Sequence, residues 1–128
     1  METVWEQLIA APPTRGRSMT SVTYRNTKML LSSWEVAAFV SDGGKISEDL
    51  RHGVVARMLV AVAMDSLKRT GAFAGLDATL ALAHAEAAKL QECVEQAKKD
   101  QNTEGAVNLS ITAKRLIAYI EETEGRRG

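Results

Sequence analysis

Two runs in the C-terminal half of the chain place apolar residues at alternating spacings of four and three. The first is Leu76, Leu80, Ala83, Ala87, Leu90, Val94 and Ala97, and the second is Ala106, Leu109, Ala113, Leu116 and Ile120. A mean spacing of 3.5 residues keeps one stripe of a helix turned towards one neighbour. The stretch between the runs, KKDQN, is short and polar, with Asn102 or Thr103 as the candidate cap of the second helix. Two such helices are expected to turn back on each other as an antiparallel hairpin, seam against seam. The pattern alone leaves open whether the seams pair within one chain or between chains.

Three further helices are expected upstream. One starts at Ser47, a natural N-cap followed by Glu48 and Asp49. It carries Leu50, Val54, Met58 and Val62 on one stripe and Val55, Leu59 and Ala63 on the next, and Gly71 closes it. Between Val54 and Met64 it is apolar nearly all round except for Arg57, which suits the centre of a bundle or a subunit interface. Leu59 and Trp34 are expected in the core. Another helix is expected from the Ser18 to Ser21 region to about Ser41, on the spacing of Leu30, Leu31, Trp34, Ala38 and Phe39. A short helix before Pro12 and Pro13 would present Trp5, Leu8 and Ile9. The expected fold is therefore all-α: one domain over residues 1–128, a compact bundle of four main helices plus a short N-terminal helix. Residues 1–13 hold that short helix and its Pro-Pro break, and residues 125–128 form a frayed tail.

Composition agrees with this. Aromatics are sparse at 5%, and alanine and leucine carry most of the apolar content. The formal net charge is zero, which sets the chain apart from strongly basic nucleic-acid proteins. A single cysteine, Cys93, excludes an intramolecular disulfide. The opening METVWEQLIAAPP lacks a basic n-region and a long apolar h-region, and no run is long enough to span a bilayer. A cytoplasmic location without membrane contact is expected.

Catalytic patterns are missing. His52 and His84 are the only histidines, and Asp49 with His52 forms one i, i+3 pair where a carboxylate-bridged metal bundle needs two. Cys93 lies among Glu92, Glu95 and Gln96, where neighbouring carboxylates disfavour a thiolate. Phosphate-loop and nucleophile-elbow motifs are absent. The expectation is a protein that is not an enzyme, with no catalytic residues, no metal and no cofactor.

Charge is patterned more tellingly. No acidic residue occurs between Glu6 and Glu35, a stretch that holds Arg15, Arg17, Arg25 and Lys28 among hydroxyl and amide side chains. Cations mixed with hydrogen-bond donors suit a phosphate backbone, and Tyr24 could stack on a base. On helical spacing Tyr24, Arg25 and Lys28 share a face with Ser21, and Lys45, Arg51 and Arg57 would extend the patch if the flanking helices pack antiparallel. Arg57, alone in its apolar run, either snorkels to the surface or points to an interface or anion, since a buried arginine needs a partner. The last two helices hold Glu86, Glu92, Glu95, Asp100, Glu121, Glu122 and Glu124 beside Lys89, Lys98, Lys99, Lys114 and Arg115, and a basic N-terminal part followed by a more acidic C-terminal part is expected. That asymmetry suits assembly with copies of itself or with other subunits.

In its small size, five candidate helices and lack of an active site, the chain resembles the small all-α subunits of class 1 CRISPR effector complexes. The resemblance spans the whole chain as architecture and rests on no sequence motif. It implies a non-catalytic subunit of a larger nucleoprotein assembly, contacting RNA or DNA backbone through Arg15, Arg17, Tyr24, Arg25, Lys28, Arg51 and Arg57. Apolar helices would contact larger protein subunits. The zero net charge departs from a free-standing nucleic-acid binder. The alternative is a homo-oligomeric structural or adaptor bundle with no nucleic-acid role.

Overall fold

A computed structural model describes residues 19–40 and 44–127. The expected helix before Pro12, together with Arg15 and Arg17, lies outside the described residues. The architecture is mostly helical, with a two-stranded antiparallel sheet added to it.

The sheet corrects the expectation of one helix from the Ser18 to Ser21 region to Ser41. Strand β1, Met19–Tyr24, pairs with β2, Thr27–Ser32, and a helix of eight residues, α1, Ser33–Val40, follows directly. Alternation explains the strands: Val22, Thr27, Met29 and Leu31 are buried on one face, while Ser21, Thr23, Lys28 and Leu30 are exposed on the other. The register sets Val22 against Met29 and Thr23 against Lys28. Arg25 and Asn26 make the two-residue turn, both at positive φ (50° and 66°), as the type I′ turn of a tight hairpin requires. Ser32 and Glu35 then start α1 with one half of a capping box. The Glu35 carboxylate accepts the Ser32 backbone N–H at 2.8 Å, as a Ser-x-x-Glu sequence favours.

Three long helices form the bundle: α2, Gly44–Thr70; α3, Leu76–Lys99; and α4, Thr103–Arg127. Helix α2 begins a turn before the expected Ser47 cap and ends where expected. Gly71 adopts φ +79° and returns its N–H to the Leu67 carbonyl at 2.9 Å. Asn102 caps α4, its side-chain oxygen accepting the Gly105 N–H at 2.9 Å. That helix continues past the expected end near Glu124 to Arg127. The seam residues of α3 and α4 are buried, apart from half-buried Leu76, and they meet within the chain together with Leu50, Ala56 and Val60 of α2. At Gly53 the absence of a side chain admits Leu90, because a Cβ there would lie 2.6 Å from the Leu90 Cδ1.

Helix α2 is central because it serves two cores. One side enters the bundle, and the other, with Val54, Met58, Ala61 and Val62, supports Val22, Met29 and Leu31 of the hairpin with Val36 and Phe39 of α1. This accounts for its nearly continuous apolar sequence. Leu59 and Trp34, expected in the core, are only half-buried. Among the described residues no helix is long and apolar enough to cross a membrane.

Candidate functional site

The hairpin is fastened to the bundle by a buried ionic cluster that forms where β2 runs into α1. Glu35, fully buried, is held by two arginines from different helices. Arg57 of α2 donates through Nη2 to both Glu35 oxygens, at 3.0 and 2.9 Å, and through Nη1 to the Leu30 carbonyl at 3.3 Å. Arg115 of α4 donates through Nη1 to Glu35 Oε1 at 2.8 Å and to Ser32 Oγ at 2.9 Å, and through Nη2 to the Leu30 carbonyl at 3.1 Å. Ser32 Oγ donates to Glu35 Oε1 at 2.7 Å. The Arg57 Nε is the one buried nitrogen of the group left without a hydrogen bond, and the guanidinium lies 5.9 Å from the centre of the Tyr119 ring. Two guanidinium groups thus meet one carboxylate. The cluster carries one positive charge in excess, and its outer member Arg115 keeps 25% of its side chain exposed.

This geometry corrects one expected contact. Arg57 has 0% exposure and is committed to Glu35, so it does not reach the surface to touch a nucleic-acid backbone. It has the partner that a buried arginine requires. Arg51 is also separated from the rest of the expected patch. It is half-buried and donates to the Ala38 carbonyl at 3.4 Å, 14 residues and so roughly 21 Å along α2 from Asp65, beside which the hairpin tip sits.

Tyr24, Arg25 and Lys28 do come together, on a turn rather than on a helix face, whereas Lys45 pairs with Asp49 at the start of α2. Arg25 and Lys28 are exposed at the hairpin tip, and half-buried Tyr24 carries the Arg25 guanidinium 5.3 Å from its ring centre. The tip is tied to the last turns of α2, where Thr27 Oγ1 donates to Asp65 Oδ2 at 3.3 Å. Arg69 binds the same oxygen at 3.0 Å, and Lys68 and Arg69 are exposed beside it. Sequence reasoning missed Lys68 and Arg69 because only the hairpin brings residues 40 positions apart together. It missed Glu35 as well, although the Ser32-x-x-Glu35 spacing signals a helix start.

Clefts also open elsewhere among the described residues. One of about 610 Å³ runs between α1 and the starts of α2 and α4, past Trp34, Ile46 and Asn108. Another, of about 370 Å³, holds Lys45, Asp49, Lys89 and Cys93. Burial, then a hydrogen bond to Asp49 and the charge of that carboxylate, push the Cys93 thiol up to about 11, so it is protonated at neutral pH. His84 reaches across to Glu124 at 3.1 Å on the surface between α3 and α4. Among the described residues no three of the His, Cys, Asp and Glu side chains are grouped to hold a metal ion.

No protein-family model, curated protein or solved structure matches the chain.

Proposed function

We propose that the protein is a non-catalytic subunit of a larger nucleoprotein assembly, in the manner of the small helical CRISPR subunits that it resembles. In this reading the hairpin tip touches nucleic-acid backbone. The observation that carries it is the tip itself: Arg25 exposed on a two-residue turn and Lys28 exposed at the start of β2, tied through Asp65 to the last turns of α2, which carry Lys68 and Arg69. Among the described residues the Asp65 carboxylate sits at this tip, accepting from Thr27 and Arg69. A two-stranded ribbon is narrow enough to enter a groove or lie along a strand, and its cations gain from counterion release. The buried Glu35 cluster supports the reading too, because it gives the ribbon a rigid seat.

The test is tagged purification from the native host at low salt. Nuclease-sensitive nucleic acid recovered with larger protein subunits, and lost when Arg25→Glu and Lys28→Glu are combined, is the expected result. A homo-oligomer free of nucleic acid would overturn this reading and favour the structural or adaptor bundle.

A further inference from the structure

The solvent face of α4 reads as a short chemical palindrome. Glu104, Val107, Ile111 and Lys114 are spaced three, four and three residues apart, and all four are exposed. On a helix these spacings put them in one stripe, opposite the buried stripe of Leu109, Leu116 and Ile120. Val107 leaves 50% and Ile111 37% of their surface open, and Leu30 of the hairpin, whose carbonyl is bound by Arg115, leaves 49%. Single exposed apolar residues are commonplace. An acid, two apolar residues and a base in symmetric order are a stronger constraint, because a helix of that pattern complements itself when reversed.

We propose that this face of α4 docks a second copy of the chain about a two-fold axis, with the two α4 helices antiparallel. The axis passes between Val107 and Ile111. Each Val107 then packs on Ile111 of the second copy, and each Glu104 meets Lys114 of the second copy. An isologous contact needs this self-complementarity, and the two ends of the stripe supply it. Neither Glu104 nor Lys114 forms an ion pair with the other described residues, so both charges are free for the contact. Arg115, next to Lys114, keeps its own N–H groups on Glu35, Ser32 and the Leu30 carbonyl, but the excess positive charge of its cluster favours an acid at that end of the stripe. The contact uses none of the hairpin-tip residues and stands apart from the nucleic-acid reading. One helix face is a small interface, so the dimer is weak and reversible.

Sedimentation equilibrium of the full chain, from low micromolar to sub-millimolar concentration, tests the proposal. A monomer–dimer equilibrium is expected. Ile111→Glu and Glu104→Lys should each weaken it by about ten-fold or more, and Glu104→Lys combined with Lys114→Glu should restore it by swapping the charges. These side chains are exposed, and circular dichroism of each variant checks that it is folded; Ile111→Ser is the milder substitute where Ile111→Glu is not. A chain that stays monomeric throughout overturns the proposal, as does a dimer indifferent to Ile111→Glu. A charge swap that fails to restore association overturns the antiparallel pairing.

Discussion

Replacing Glu35 by Gln should be among the most damaging single changes in this chain. The substitution keeps the shape of the side chain and removes its charge. Glu35 accepts from Arg57, Arg115 and Ser32, with contacts between 2.7 and 3.0 Å. In the variant one acceptor oxygen becomes an NH₂ group, and it would face an Arg57 N–H, donor against donor. Arg57 cannot retreat to water, since its side chain is 1% exposed. Leaving one charge of a buried pair without its partner costs about 3–5 kcal/mol. The whole stability of a domain of this size is about 5–15 kcal/mol, so the variant should sit close to unfolding. Arg115→Met is the control. It removes the partly exposed cation and leaves the Arg57–Glu35 pair balanced, so it should cost less, about 1.5–3 kcal/mol for the lost charged hydrogen bond. Urea titrations followed by circular dichroism give both values. The double variant Glu35→Gln with Arg57→Met should cost less than the sum of the two singles, because the orphaned charge is gone. A loss below about 1 kcal/mol for Glu35→Gln, or strict additivity in the cycle, would refute a buried, coupled cluster.

Four other outcomes follow from the packing and the caps. Gly53→Ala adds helix propensity worth up to about 1 kcal/mol. The new Cβ nevertheless presses on Leu90, itself fully buried, so thermal unfolding should show a net loss of up to about 2 kcal/mol. Asn102→Ala removes the cap of α4 and should lower stability by about 1 kcal/mol in the same assay. Leu109→Ala should cost about 2–5 kcal/mol, and Leu59→Ala, at a half-buried position, clearly less; equal losses would mean that the face of α2 is misassigned. Cys93 should alkylate slowly at neutral pH, with a rate that climbs as pH approaches about 11. Because the folded thiol holds its proton more tightly than the ordinary value of 9.0, its contribution to stability is complete below pH 9.0 and is lost as pH rises towards about 11.

The bundle was legible in the sequence because its signals are local and periodic. Buried residues such as Leu80, Leu90, Leu109 and Leu116 stand where the alternation of four and three puts them, and Gly71 ends α2 as a left-handed glycine should. The hairpin was obscured by a competing period. Leu31, Trp34, Ala38 and Phe39 match helical spacing across a strand-to-helix junction, and that drew the expected helix upstream over residues that alternate with period two. The turn hid its signal too, placing Arg25 and Asn26 where Asn-Gly would have announced it. The ionic cluster was the least legible part. Arg57 is 22 residues from Glu35 and Arg115 is 80, and no local pattern announces a pairing over such distances. Of the expected surface contacts, Tyr24, Arg25 and Lys28 do share a locale, but through a turn and not through the helix that first suggested it.

The seat of the hairpin also sets an order of events for the growing chain. The strands are made before the helices that support them, and a two-stranded ribbon alone is marginal in water. Glu35 is made soon after, yet its second cation, Arg115, arrives 80 residues later on the last helix. At roughly 5–20 residues per second, the carboxylate waits for several seconds before the bundle can close over it. During that interval the ribbon can lean only on α2 and its Arg57, and the arrival of α4 with Arg115 completes the seat.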